Sequence, residues 1–175
     1  DFLPLYLFYK MRNFSLNLPW TFHLEDDPLC ALAAAWPRLE HFRLATAPYA
    51  QVQPGITLVA LPSFGENCPM LETLGLPFDA TTFAGCDDTP PVECVADGYY
   101  SRADRCTVLD VANSPIKLDL NEQFEVALFL SYVFPRLNEI NSSPAGAEAG
   151  YVRAWETVED RVRSFSALRE NERER

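Results

Sequence analysis

Few side chains in this 175-residue sequence have the chemistry for catalysis or metal binding. They are His23 and His41, the cysteines Cys30, Cys68, Cys86, Cys94 and Cys106, and the acidic pairs Asp26-Asp27 and Asp87-Asp88. A histidine acting as general base needs a nucleophile held within hydrogen-bond reach. Neither histidine has one by motif: there is no G-x-S-x-G elbow, no P-loop, no G-x-G-x-x-G and no H-E-x-x-H. His41 sits beside Arg43 and alternates with Leu39, Phe42 and Leu44, which places it on the solvent side of a strand. His23, after "PWTF", reads as a loop or strand-edge residue. Calcium loops need several oxygen ligands at ordered spacing around a glycine turn, and neither acidic pair has that pattern; Asp27 reads as a helix cap. The five cysteines contain no C-x-x-C, and their odd count fits neither a disulfide framework nor a zinc knuckle. Cys30, Cys68 and Cys106 lie inside apolar patterns as buried thiols. Cys86 and Cys94 share a loop, where a pair and two free thiols of a reducing compartment both remain open. No catalytic, cofactor-binding or metal-binding residue is assigned, and the chain reads as a non-enzyme.

Composition narrows the class. Hydrophobic residues at 48% and aromatics at 13% argue against disorder, and the length allows one domain with a sizeable core. Fourteen prolines suit many short elements with rigid connections. A net charge of −11 argues against a nucleic-acid partner, because phosphate binding requires a basic stripe. The apolar opening "DFLPLYLFY" is far shorter than the ~20 residues of a spanning helix, so no membrane partner is expected. A first residue of Asp1 suggests a fragment or a processed product. The expected location is the cytoplasm or nucleus.

The elements that position these residues follow from a recurring spacing. In "NCPMLETLGLPFD", Leu71, Leu74 and Leu76 follow a proline as L-x-x-L-x-L. The spacing returns as Leu39, Phe42 and Leu44 in "WPRLEHFRL", and as Leu137 and Ile140 in "FPRLNEI". Weaker copies place Cys106, Leu109 and Val111, and Met11, Phe14 and Leu16, at the same offsets. The starts at 11, 39, 71, 106 and 137 step by 28, 32, 35 and 31 residues. A near-constant period of that size predicts stacked supersecondary units, each a strand whose uneven apolar spacing aims into a shared core.

Helices are expected upstream of the strands. "EDDPLCALAAAW" has Pro28 in its first turn and Leu29, Leu32, Ala33 and Trp36 on one face. "NEQFEVALFLSYVF" places Phe124, Ala127, Leu128, Ser131 and Tyr132 on one side, with Val126, Leu130 and Val133 widening the arc. "TLVALPSFGEN" is expected short or broken because of Pro62. Residues 77 to 104 lack helical period; the stretch can hide a strand in "VECVADG", and its Asp87, Asp88, Tyr99 and Tyr100 fit either a recognition loop or a padding loop on the convex side. At the C-terminus Val152, Trp155, Val158, Val162, Phe165 and Leu168 form one stripe, with Arg153, Glu156, Asp160 and Arg163 off it. This predicts an amphipathic helix covering the last unit, followed by a fraying polar tail. The fold expectation is α/β, an irregular leucine-rich-repeat solenoid of about five strand–helix units over residues 1–150, with a capping helix and tail at 151–175. One departure stands out. The position that follows the third apolar residue after two others, usually Asn or Cys in such repeats, holds Pro19, Ala47, Asp79 and Ser114, and Ser143 follows Ile140 of the last unit at the same distance, so the usual side-chain ladder is missing.

The stretches "EDDPLCALAAAWPRLEHFRL", "FGENCPMLETLGLPFDAT", "NSPI" followed by "VALFLSYVFPRLNEI", and the closing W-x-x-V…R…R-E-x-E-R resemble the C-terminal leucine-rich region of fungal, especially basidiomycete, F-box-like proteins. The resemblance covers nearly the whole chain. It implies a substrate-recognition module of a cullin-type ubiquitin ligase. In such proteins an N-terminal helical F-box binds the ligase adaptor; no candidate F-box is visible here, because the first ten residues already belong to a repeat. Ligase adaptor contact would lie outside this sequence, and the target is an unknown protein.

Strand alternation names the residues that would face a partner. They are Asn13, Ser15 and Asn17; His41 and Arg43; Thr73 and Gly75; Val108 and Asp110; Glu139 and Asn141. The candidate partner-binding set is Asn13, Ser15, His41, Arg43, Thr73, Asp110, Glu139 and Asn141. The alternative function is a scaffolding leucine-rich-repeat protein without ligase adaptor contact.

Overall fold

A computed structural model describes residues 3–18, 24–46, 55–82, 103–143 and 149–173. Five strands, β1 (Asn13–Leu18), β2 (His41–Thr46), β3 (Thr73–Gly75), β4 (Val108–Ala112) and β5 (Glu139–Ser142), form one sheet. Every neighbouring pair is parallel, and the strand order equals the chain order. Among the described residues four α-helices accompany them: α1 (Asp26–Ala35), α2 (Leu61–Asn67), α3 (Leu120–Val133) and α4 (Ala149–Arg173). Single 3-10 turns lie at Leu3–Leu7 and Leu58–Ala60. The architecture is therefore α/β, as the alternating periods predict.

The register aligns the repeated spacing. Phe14 pairs with Phe42, Phe42 with Leu74, Leu74 with Leu109, and Leu109 with Ile140. These side chains point to one face, and Leu71, Leu74 and Leu76 are at most 1% exposed. Removing each leucine from water is worth about 1.5–3 kcal/mol. The ladder extends into aromatic contact: the rings of Phe14 and Phe42 stack at 5.3 Å, and Phe42 meets Phe64 of α2 at the same separation.

Each strand is entered through the same turn. The N–H of the first apolar residue bonds the carbonyl three residues back at Met11–Phe8, Leu39–Trp36, Leu71–Cys68, Cys106–Ala103 and Leu137–Phe134. Pro37, Pro69 and Pro135 take the second position, where a fixed φ near −65° suits a tight turn and no N–H is required. The chain then locks to its predecessor. The carbonyls of Arg12, Glu40, Glu72 and Thr107 each accept two N–H groups from the next unit.

Several local expectations shift. The helix α1 starts one residue before Asp27, with Glu25 at the cap position and no side-chain cap bond. Asp26 instead reaches the following unit, its carboxylate accepting from the Thr57 N–H and hydroxyl, both at 2.7 Å. In α2, Pro62 falls in the first turn, which shortens the α-helix and leaves a 3-10 turn before it. The buried face of α3 centres on Val126, Ala127, Leu130 and Val133, whereas Phe124 and Tyr132 are about two-fifths exposed. Those two rings serve α4: Phe124 meets Phe165 edge-on at 5.7 Å, and Arg161 and Arg169 sit over Phe124 and Tyr132. Trp155, Val158 and Val162 of α4 are buried as expected, but Leu168 is exposed and the helix continues through Arg173. No helix lies between β3 and β4 among the described residues. The expectations for His23, Cys86, Cys94, Asp87, Asp88, "VECVADG", Tyr99 and Tyr100 lie outside them.

Two of the ladder positions, Ser114 and Asp79, make side-chain hydrogen bonds. The Ser114 hydroxyl accepts from the buried Phe78 N–H at 2.9 Å and donates to the Val111 carbonyl at 2.5 Å. Asp79 accepts from the N–H and hydroxyl of Thr81. Pro19 and Ala47 lie outside the described residues.

Candidate binding face

The face of the sheet opposite the core is built from the residues between the buried ones. Register sets them in two rows across the strands. One row runs Asn13, His41, Thr73, Val108, Glu139; the other runs Ser15, Arg43, Gly75, Asp110, Asn141. All eight residues of the candidate set fall in these rows. With parallel strands about 4.8 Å apart, each row spans roughly 19 Å. The β4 residues alternate between half-buried and buried, so Val108 and Asp110 are on the open side while Leu109 and Val111 enter the core.

Neighbouring residues in the rows engage each other. His41 Nδ1 lies 2.8 Å from the Thr73 hydroxyl, and its Nε2 lies 3.9 Å from the Glu72 carboxylate. Arg43 on β2 reaches over β3 to Asp110 on β4, with Nη2 to Oδ2 at 3.2 Å. Gly75 lies directly between them. A methyl added there would meet Arg43 Cγ and Asp110 Cβ, each at 3.3 Å, so the absent side chain leaves the lane the guanidinium crosses. The other Asp110 oxygen accepts from the Ala112 N–H at 3.0 Å, where the backbone turns to a positive φ of 51° beside the β4–β5 irregularity. Glu139 accepts from the Asn141 amide at 2.8 Å.

Three contributors were not named from the strand pattern: Arg12, Glu40 and Glu72. Each directly follows the first apolar residue of its unit, and Arg12 pairs with Glu40 at 2.9 Å. Their common offset is visible in the sequence, but their role rests on backbone carbonyls, which no side-chain pattern records. Arg12, His41 and Arg43 lie toward β1 and β2, and Asp110 and Glu139 lie on β4 and β5.

The thiols are not reactive groups of this face. Burial pushes Cys68 and Cys106 up to about 12, and desolvation also raises Cys30, which is half-buried. Among the described residues no group of three or more His, Cys, Asp or Glu is placed to hold a metal ion. No helix among them is long and apolar enough to cross a membrane. The chain matches no known family model and no curated protein.

Proposed function

We propose that this chain is a divergent leucine-rich-repeat solenoid with a C-terminal cap, and that it binds a partner protein through the open face of its sheet. The observation that carries the reading is a face of an all-parallel sheet that no described element covers, bearing two in-register rows of polar and charged side chains. Parallel sheets of ordinary domains are covered on both faces. A face left open and furnished with Arg43, His41, Asp110 and Glu139 suits a protein surface of mixed charge. The five equivalent turns and the shared register support the repeat reading. The proposed biological role is substrate recognition for a cullin-type ubiquitin ligase in the cytoplasm or nucleus; it rests on the resemblance to F-box-like proteins.

Affinity purification with the proteasome inhibited tests both levels. The wild-type chain is expected to capture proteins that the Arg43→Glu, Glu139→Lys double variant loses. A longer polypeptide carrying this sequence is expected to bring down the cullin adaptor as well. Equal capture by the variant would move the binding site off the sheet. Capture of partners without any adaptor would favour the scaffolding role.

A further inference from the structure

One position of the strand-entry turn repeats a positive charge from unit to unit. It is the third residue of the turn, three residues before the row that runs from Asn13 to Glu139. Lys10, Arg38, Met70, Arg105 and Arg136 occupy it, so all but the third are basic. The turns stack as the strands do: Cys68 Sγ lies on the Trp36 carbonyl, and the Ala103 N–H bonds the Gly65 carbonyl. Consecutive positions therefore lie about 4.8 Å apart, and the five together span roughly 19 Å.

These cations are uncompensated. Arg38, Arg105 and Arg136, which belong to three different units, are all exposed. Among the described residues no carboxylate pairs with any of them, whereas Arg12, Arg43, Lys117 and Arg163 each hold one. Acids are not scarce, since the chain carries 25 against 14 basic side chains. The carboxylates two residues beyond Arg38 and Met70 serve other cations: Glu40 pairs with Arg12, and Glu72 lies 3.9 Å from His41. Asp104 adjoins Arg105 in the chain, yet it is exposed and forms no pair with it. A line of arginines that an acid-rich chain leaves unpaired is open to acids from elsewhere.

We propose that this turn edge is a docking site for an acidic segment of a partner protein, laid in extended form across the units. It is a second contact surface, separate from the rows on the open face of the sheet. The row dictates the segment's chemistry. At about 3.3 Å per residue, roughly seven extended residues cover its length. Acidic residues at one end meet Lys10 and Arg38, and those at the other meet Arg105 and Arg136. Met70, partly buried, interrupts the basic row at its middle and takes an apolar residue there. Arginine suits the task, because its planar fork bonds both oxygens of a carboxylate. A nucleic acid fits poorly: its phosphates would run past so short a row onto the surface of a chain with a net charge of −11.

The probe is a fluorescein-labelled peptide, EESLSEE, titrated with the whole chain by anisotropy at low salt, beside the isomer LEESSEE. Saturable binding is expected, weaker for the isomer and falling as salt is raised. NMR amide shifts are expected in the turns 36–39, 68–71, 103–106 and 134–137. Arg38→Glu with Arg105→Glu should weaken binding at least about tenfold at unchanged Tm, since neither side chain holds another group. Lys117→Glu with Arg153→Glu reaches the same net charge away from the row and should bind as the wild type does. The proposal is overturned by no saturable binding, by equal losses in the two double variants, or by shifts confined to the open face. Tighter binding of a labelled oligothymidylate or of phosphatidylserine vesicles than of the peptide also overturns it. So does a longer polypeptide carrying this sequence that fails to bind the peptide, because the row is then filled from within that polypeptide.

Discussion

Arg43 and Asp110 form an ion pair across an intervening strand, at 3.2 Å over the backbone of Gly75. The guanidinium side chain is 65% exposed and the carboxylate 30%, so the pair contributes little to folding, on the order of 0.2–1 kcal/mol. Its consequence is geometric: it holds a long cation flat across the middle of the open face. A double-mutant cycle with Arg43→Ala and Asp110→Ala should give a coupling energy under about 1 kcal/mol in urea unfolding. Gly75→Leu should lift Arg43 off Asp110 and abolish that coupling. A coupling of several kcal/mol would make the pair a folding element instead.

Ser114 ties three units together. Its hydroxyl bonds Phe78 and Val111, and its carbonyl accepts from the Trp155 indole at 2.9 Å. Ser114→Ala keeps the carbonyl contact but leaves the Phe78 N–H buried with no acceptor. The expected cost is about 1–3 kcal/mol, read as a lower urea midpoint at unchanged m-value. An unchanged midpoint would show that the Phe78 N–H has found another acceptor.

The contrast between strands and helices shows what the sequence made legible. The strand spacing is readable because register and burial act on the same residues: an apolar position in one strand faces an apolar position in the next. Leu74 and Leu109 leave no other arrangement that buries both. Helix faces were harder to read. The apolar arc of α3 is wide enough to admit two rotations, and the choice is made by α4, which covers Phe124 with Phe165 and Arg161. Asp26 was hidden for a similar reason, since its partner Thr57 is distant in sequence and belongs to the next unit. On the open face, alternation located the residues, but the crossing of Gly75 by Arg43 depends on a side chain that is not there.

Cys68 and Cys106 make stability fall in alkali. Both thiols are raised by burial to about 12 from an ordinary value of 9.0. The folded state therefore keeps its protons where the unfolded state loses them. The stabilisation is fully present below about pH 9 and is lost as pH rises from there toward 12. Above pH 9 each thiol should steepen the fall by about 1.4 kcal/mol per pH unit. The check compares unfolding free energies between pH 8 and 10.5 for wild type and a Cys68→Ala, Cys106→Ala variant. Tyrosine and lysine titrations are common to both chains, so the difference in slope isolates the thiols. Parallel slopes would contradict their burial as neutral groups.

The α4 helix does two separable jobs, and separate substitutions should distinguish them. Trp155 fills the core, touching Phe78 edge-on at 5.8 Å, and its truncation to Ala is expected to cost about 3–5 kcal/mol. Glu159 and Arg163 instead occupy the outer edge of β5. Glu159 accepts from the Ile140 N–H, Arg163 donates to the Asn138 carbonyl, and the two side chains pair with each other at 2.6 Å. Ser166 adds a donor to the Leu137 carbonyl at 2.9 Å. An unsealed parallel edge is a template for another strand. Glu159→Ala with Arg163→Ala should lower stability by only about 1–3 kcal/mol, since water can reach the freed groups. The same double variant should self-associate in sedimentation at concentrations where the Trp155→Ala chain, measured while still folded, stays monomeric. If the edge variant stays monomeric as well, the mass of the helix and not its polar contacts protects β5.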